Sequence, residues 1–397
     1  MNRRAGEPRA ARRAARHLDF ETVALVLQGG GALGSYQAGV VEGLAGAGIE
    51  PDWIAGISIG ALNTAVIAGN PVETRMQRLR EFRETICRPA AFVPPVESLQ
   101  RLVDQAGPDA RKVFSGFEAW RALVAGQREF FVPRGLTPWL GGKQGIAQAS
   151  FYDTTQLKGT LERFVDFDRI NAGPMRVSVG AVNVRTGNFA YFDNTAGPAR
   201  RAMRAEHFMA SAALPPGFPA IEIGGEFYWD GGLVSNTPLQ VVLEAVPRRD
   251  TLVFQVDLWS ARGPLPDNVY DVEERRKDIV YSSRTRAATD TMAARQRHRR
   301  LLREVLEHVP AKVRASDPWC RQAQELACQR QYTVIHLIYQ DKEWEGLAKD
   351  YEFSPQSMQE HWSSGLLDIE RSLEHPEWLQ LPPEDKEFVT HDCHRAR

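Results

Sequence analysis

The stretch DWIAGISIGALNTAVIAGN, residues 52–70, decides the reading of the fold. Trp53 to Ile57 is an apolar run of strand type, and Ala61 to Ala68 is helix-forming. Between them Gly56, Ile57, Ser58, Ile59 and Gly60 spell G-x-S-x-G, so Ser58 falls at a sharp strand-to-helix turn where a nucleophile is presented. Side chains at positions 56 and 60 would collide across so tight a turn, and the following helix N-terminus favours developing negative charge. The pattern alone is weak evidence, since three fixed residues at ordinary abundances arise by chance in about one chain in ten of this length. Its strand and helix flanks give it weight.

Outward from the elbow, short β-branched or apolar runs recur at Thr22–Leu27, Met175–Val184, Leu252–Asp257 and Thr333–Tyr339, separated by segments long enough for crossover helices. This rhythm predicts an α/β fold, a three-layer α/β/α sandwich with a mostly parallel central sheet, its crevice at the carboxyl ends of the strands. Gly-containing turns within Asn183–Asp193 and Ile221–Asp230 predict antiparallel hairpins extending one side of the sheet.

Upstream, the first strand ends at Leu27 and is followed by Gly29, Gly30, Gly31, Ala32, Leu33 and Gly34. Gly29, Gly31 and Gly34 satisfy G-x-G-x-x-G, the dinucleotide fingerprint, but the second strand ends in Ser58 where a ribose-binding acid is needed. The same loop has another use. Without side chains, at a helix N-terminus, it can turn several backbone N–H groups into the crevice to hold an oxyanion.

A serine nucleophile needs a base. None of the nine histidines has the loop-after-strand setting of a triad histidine: His336 sits in the apolar run TVIHLIY, His361 and His375 in polar helix-like sequence, and His391 and His394 in a tail. Asp230 is better placed, at the end of the run Glu226–Trp229 and before Gly231 and Gly232, which permit close backbone approach. Two readings stand for it, a base that takes the Ser58 proton directly and an ordinary turn aspartate.

In order, GGGALG at 29–34, GISIG at 56–60, and the block ASAALPPGFPAIEIGGEFYWDGG at 210–232 continuing as DGGLVSNTPL resemble the patatin-like phospholipase family. The resemblance runs from about Val23 to Leu258, and HWSSGLLDIERSL is similar to the tail of a bacterial subgroup with an added C-terminal region. It implies a lipid acyl hydrolase with Ser58 as nucleophile and Asp230 as base, Gly29, Gly30 and Gly31 along the oxyanion loop with Gly34 closing its motif, and neither metal nor cofactor. Leu33 stands where many relatives carry a basic residue, so charge assistance from that position is missing. Phospholipid or lysophospholipid is the leading substrate class. The alternatives are another acyl or hydroxyacyl ester or thioester, or a non-catalytic lipid-binding protein.

The remaining sequence sets boundaries. With 49 basic against 50 acidic side chains and 43% hydrophobic residues, the composition is globular and argues against a nucleic-acid partner. Residues 1–20 read as a basic disordered arm, 21–260 as the acyl hydrolase domain with an insertion at about 88–150, and 261–397 as a mainly helical region whose strand at 333–339 joins the main domain. The insertion is aromatic-rich between Val113 and Gly142; it serves either as a helical cap over the crevice or as an excursion anchored by its own rings. Glu273–Val309 reads as one long Arg-rich helix with a solvated surface. Four scattered cysteines fit no zinc or redox spacing, which suggests a reducing, cytoplasmic setting, with peripheral membrane contact as a further expectation.

Overall fold

The computed structural model describes residues 18–88, 107–135, 138, 142–143, 145–195, 202–282 and 285–394. Residues 1–17 of the basic arm therefore lie outside the described residues, as do Trp139 and residues 89–106 of the insertion, while Phe20 at the end of the arm is buried in the core.

Nine strands form the central sheet: β1 (Thr22–Leu27), β2 (Trp53–Gly56), β3 (Arg176–Asn183), β4 (Phe189–Asp193), β5 (Ile221–Ile223), β6 (Glu226–Asp230), β7 (Thr251–Asp257), β8 (Tyr332–Ile338) and β9 (Phe388–Asp392). Their order is β9-β8-β7-β1-β2-β3-β6-β5, with β4 pairing β3. From β9 through β3 every pairing is parallel, while β4, β5 and β6 add the antiparallel side that the two hairpin signals predict.

All six residues of β1 are buried, as expected of a parallel strand covered on both faces. Val23, Leu25 and Leu27 enter the larger apolar cluster, and Ala24 and Val26 enter a smaller one with Leu239, Val242, Leu243 and Met292. The sheet is thus the middle of three layers. On the larger side lie α1 (Gly34–Gly46), α2 (Ile59–Ala68) and α3 (Val72–Ile86). Every residue of α2 is buried, which is why its sequence is apolar apart from Asn63 and Thr64, whose side chains are hydrogen-bonded inside.

The C-terminal region is built into this domain. β8 and β9 extend the parallel sheet, and the last long helix, Pro355–Leu373, crosses α1 with its backbone in contact: a Cβ on Gly39 would fall 1.9 Å from the Trp362 carbonyl oxygen, and one on Gly365 equally close to that of Tyr36. β9 places His391 in the sheet, contrary to its reading as a tail residue, and its half-exposed edge position explains why FVTHD gives so faint an apolar signal.

The Arg-rich segment is not one helix. It divides into Val269–Tyr281 and Thr285–Glu307, because the Tyr281 carbonyl, which a continuing helix would satisfy itself, accepts hydrogen bonds from Gln28 Nε2 at 3.2 Å and Asn236 Nδ2 at 3.1 Å. Arg295, Arg297, Arg300 and Arg303 of the second helix are each paired with a glutamate, in keeping with a solvated face.

Candidate active site

The topology brings two strand ends together. β2 runs alongside β3 as far as Gly56 opposite Val179, and β6, antiparallel to β3, arrives from the other direction at Asp230 opposite Ala181. The two strands share one lane beside β3 and end head to head, two residues of β3 apart, or roughly 7 Å. The residues beyond each end, Ile57–Ser58 and Gly231–Gly232, fill that gap. A Cβ on Gly231 would lie 2.7 Å from the Gly180 carbonyl oxygen and 3.0 Å from Ile57 Cδ1, so no side chain fits there.

Ser58 has φ 55° and ψ −125°, one of two non-glycine residues with positive φ among the described residues. Such a backbone costs of order 1–3 kcal/mol and persists only where its surroundings over-determine it. Here they do. The Ser58 N–H donates to the carbonyl and hydroxyl oxygens of Ser211, both at 3.1 Å, and Ile57 N–H donates to Leu27. The elbow glycines are required by contact: a Cβ on Gly60 would meet the Leu27 carbonyl oxygen at 2.3 Å, and one on Gly56 the Gly60 carbonyl oxygen at 2.5 Å.

Asp230 is 1% exposed, and its Oδ1 accepts the Gly232 N–H at 2.7 Å. Burial pushes its carboxyl from the ordinary 3.8 up to about 7, against the opposing effects of the Gly232 amide and of the hydrogen bond with the Ser58 hydroxyl. A carboxylate that lines the same cavity as a serine hydroxyl, and whose titration burial moves near neutrality, can accept its proton.

The glycine loop closes the site from the other side. Gly29, Gly30 and Gly31 line the Ser58 cavity, and a Cβ on Gly29 would come within 2.9 Å of Ser58 Cβ. The Gly29 N–H is committed to the Asn236 carbonyl, whereas no described acceptor takes the N–H of Gly30 or Gly31. Gly34 does not reach the cavity; it lies behind the loop, where a Cβ would strike Ile59 at 2.5 Å.

Several residues that sequence reading left without a role hold this loop. The Gly29 carbonyl accepts from Asn236 Nδ2 at 3.0 Å and Trp259 Nε1 at 2.8 Å, and Gln28 Oε1 accepts the backbone N–H groups of Leu258 and Trp259. Gln28, polar yet buried at a strand end directly before three glycines, is the one that pattern could have flagged. Asp350, Tyr351 and Phe353 also line the cavity, although they follow Ser58 by nearly 300 residues and carry no local signal.

The cavity encloses about 620 Å³ including its open mouth. Its apolar wall is largely aromatic, with Phe130 and Phe131 from the insertion, Phe218, and Phe353. Of the other insertion aromatics, Phe114 is buried, whereas Phe117 and Trp120 are more than half exposed. No histidine, lysine or arginine is among the lining residues. Elsewhere, Asp368, Cys393 and His394 bring ligand-type atoms within 4.8 Å of one another, but Asp368 is already engaged by His394 Nε2 at 3.2 Å and the Tyr36 hydroxyl at 2.8 Å. The trio reads as an ion pair and lies outside the Ser58 cavity.

The family model for patatin-like phospholipase matches residues 25–243, more than half of the chain. The chain belongs to the patatin-like phospholipase family. A second model, described as patatin phospholipase, matches residues 279–385, so this patatin-like protein carries family sequence on both sides of β7. Patatin-like phospholipase domain-containing protein 6 of Mus musculus and of Homo sapiens are each 40% identical over 86 residues, 19% of this chain and 6% of theirs. The patatin-like chain thus matches only a small part of those curated relatives. The crystal structure of VipD from Legionella pneumophila aligns over 93% of this chain and 72% of its own, with 13% identity and a TM-score of 0.37.

Proposed function

We propose that the protein is a lipid acyl hydrolase that works through a Ser58–Asp230 dyad and an oxyanion loop formed by Gly30 and Gly31. The observation that carries this is the strained, partly exposed Ser58 sharing one cavity with the buried carboxyl of Asp230, which burial pushes up to about 7. Ser58 Oγ attacks the ester carbonyl carbon as its proton passes to Asp230, and the negative charge collects on the carbonyl oxygen, facing the loop amides and the N-terminus of α2. Collapse of this intermediate breaks the acyl–oxygen bond, and the departing alkoxide takes the proton from Asp230. Water then attacks the acyl-enzyme, gives its proton to Asp230, and displaces Ser58, which recovers that proton as the fatty acid leaves.

The aromatic wall suits an acyl chain, and a lining whose only charged side chains are Asp230 and Asp350 favours esters without net negative charge near the scissile bond. Zwitterionic phospholipids and lysophospholipids satisfy this, as do neutral acyl esters. The 18-residue helix Pro108–Ala125 supports delivery from a lipid surface: Val113, Phe117, Trp120 and Val124 form an exposed stripe at helical spacing, on the segment that leads into Phe130 and Phe131. No helix among the described residues is long and apolar enough to cross a membrane, so contact would be peripheral.

Covalent labelling with a fluorophosphonate tests the reading. The label should map to Ser58, and Ser58→Ala should abolish both labelling and hydrolysis of a short-chain p-nitrophenyl ester while the protein stays folded. More than a few per cent of residual activity in the folded variant would refute the assignment.

A further inference from the structure

Directly behind the glycine loop lies a cation without a counter-ion. Arg83, on α3, is fully buried, and no carboxylate among the described residues pairs with it. Its Nη2 donates to the Ala32 carbonyl at 2.8 Å, Nε and Nη2 both donate to Ser35 Oγ, and Nη1 has no acceptor. The guanidinium sits beside the N-terminus of α1, itself the positive end of a 13-residue helix with no side-chain cap. Isolated burial of a charge is costly, and a like-signed helix end makes it more so.

We infer that Arg83 is a positioning and polarising residue for the oxyanion loop, whose charge is compensated only when negative charge develops on the reacting carbonyl oxygen. This rests on the hydrolase reading above. The route is continuous. Arg83 binds the Ala32 carbonyl; that peptide's N–H, on Leu33, donates to the Gly30 carbonyl at 3.1 Å; and that peptide's N–H belongs to Gly31, which lines the cavity. Hydrogen bonds in series polarise one another, so a cation at one end strengthens the donor at the other.

The second route is direct. A Cβ on Gly34 would lie 3.1 Å from Arg83 Nη1 and 2.5 Å from Ile59, so the guanidinium occupies a slot between the starts of α1 and α2, next to the residue that follows the nucleophile. This explains Gly34, which belongs to the glycine motif without reaching the cavity: it leaves room for the cation. Charges interact strongly across so dry an interval. A field fixed before the reaction and matched to charge that appears during it lowers the barrier without tightening ground-state binding.

The test measures kcat and KM per competent site, with sites counted by the endpoint of fluorophosphonate labelling, in wild type, Arg83→Met, Arg83→Gln and Arg83→Lys. Loss of the charge should lower kcat and the labelling rate constant by about 10- to 100-fold with KM changed less than about twofold, and lysine should recover kcat to within about fivefold of wild type. Equal losses for lysine and methionine, a loss confined to KM, or undiminished kcat per site in the neutral variants would overturn the inference. If the neutral variants yield no folded protein, the lysine variant decides: a kcat per site more than about fivefold below wild type refutes it. Failure of the label to map to Ser58 in wild type would instead remove the hydrolase reading, whatever the Arg83 variants do.

Discussion

Asp230→Asn should abolish turnover and yet stabilise the fold, increasingly so as pH rises from 4 to 7. Burial lifts the Asp230 carboxyl from 3.8 to about 7. A group whose folded-state pKa is raised contributes fully below its unfolded value, and its contribution is lost as pH climbs through the folded one. Below pH 4 the carboxyl is neutral in both states and the two proteins should differ little. Between 4 and 7 the unfolded chain ionises while the folded chain resists, so wild type loses ground; above 7 both ionise and the gap levels off. A rise of about three units at ~1.4 kcal/mol each sets a ceiling near 4 kcal/mol. Asparagine keeps an acceptor for the Gly232 N–H and can donate to Ser58 Oγ, so the replacement should realise about 2–4 kcal/mol of it. Urea unfolding of both proteins at pH 4, 5.5, 7 and 8.5 measures the gap. A gap independent of pH, or a wild type that gains on the variant between pH 4 and 7, would show that Asp230 is not a desolvated carboxyl. In wild type the same titration should make kcat/KM rise through about pH 7 and then level off.

Ser58→Gly should be inactive but more stable than Ser58→Ala by about 1 kcal/mol, since glycine alone relieves the positive φ; equal melting temperatures would refute strain at the elbow. Phe131→Ala, measured with a series of p-nitrophenyl esters, should lower kcat/KM far more for long acyl chains than for acetate, because the ring is buried in the cavity wall; equal losses would mean it only supports the core. Phe117→Glu combined with Trp120→Glu should reduce hydrolysis of phosphatidylcholine vesicles severalfold while leaving that of a soluble butyrate ester unchanged, and parallel effects on both would exclude a membrane role for the stripe. His336→Ala, if folded, should retain turnover, because His336 lies outside the Ser58 cavity; its inactivation in a folded protein would favour a histidine-based mechanism.

What sequence made legible was local. The strand rhythm from Thr22 to Tyr339, the turn at Ser58 and the hairpin ending in Asp230 each carry their signal within about a dozen residues, and all stand where the pattern puts them. The break after Tyr281 was hidden, because it is made by side-chain amides at Gln28 and Asn236, distant in sequence and adjacent only after folding. Asp350 and Phe353 were hidden for the same reason. Arg83 was hidden differently: in RLREFRETI it is one of several arginines on an ordinary polar helix, and only folding shows it fully buried with no carboxylate partner among the described residues, while Arg78 and Arg80 stay half-exposed and ion-paired.

The shared lane beside β3 is what would let Ser58 act as a nucleophile with no histidine among the lining residues of its cavity. In a parallel sheet all strands deliver their carboxyl ends to one edge, so a base borne by a neighbouring parallel strand would stand beside the nucleophile, a strand spacing away, and an intermediary would have to bridge the gap. Reversing β6 changes this. Its chain direction brings Asp230 down the line that β2 has just vacated and into the cavity that Ser58 lines. The same closeness removes water from the carboxylate, and desolvation raises its proton affinity to the range an imidazole would ordinarily supply. Because the side chains of a strand alternate between faces, one register of β6 against β3 gives both contact and burial, and a slip of one residue gives neither. Gly231, packed on the Gly180 carbonyl with no room for a Cβ, allows the chain to turn away at that register. The antiparallel hairpin on an otherwise parallel sheet is thus the structural device that sets a buried carboxylate beside Ser58, as the proposed dyad requires.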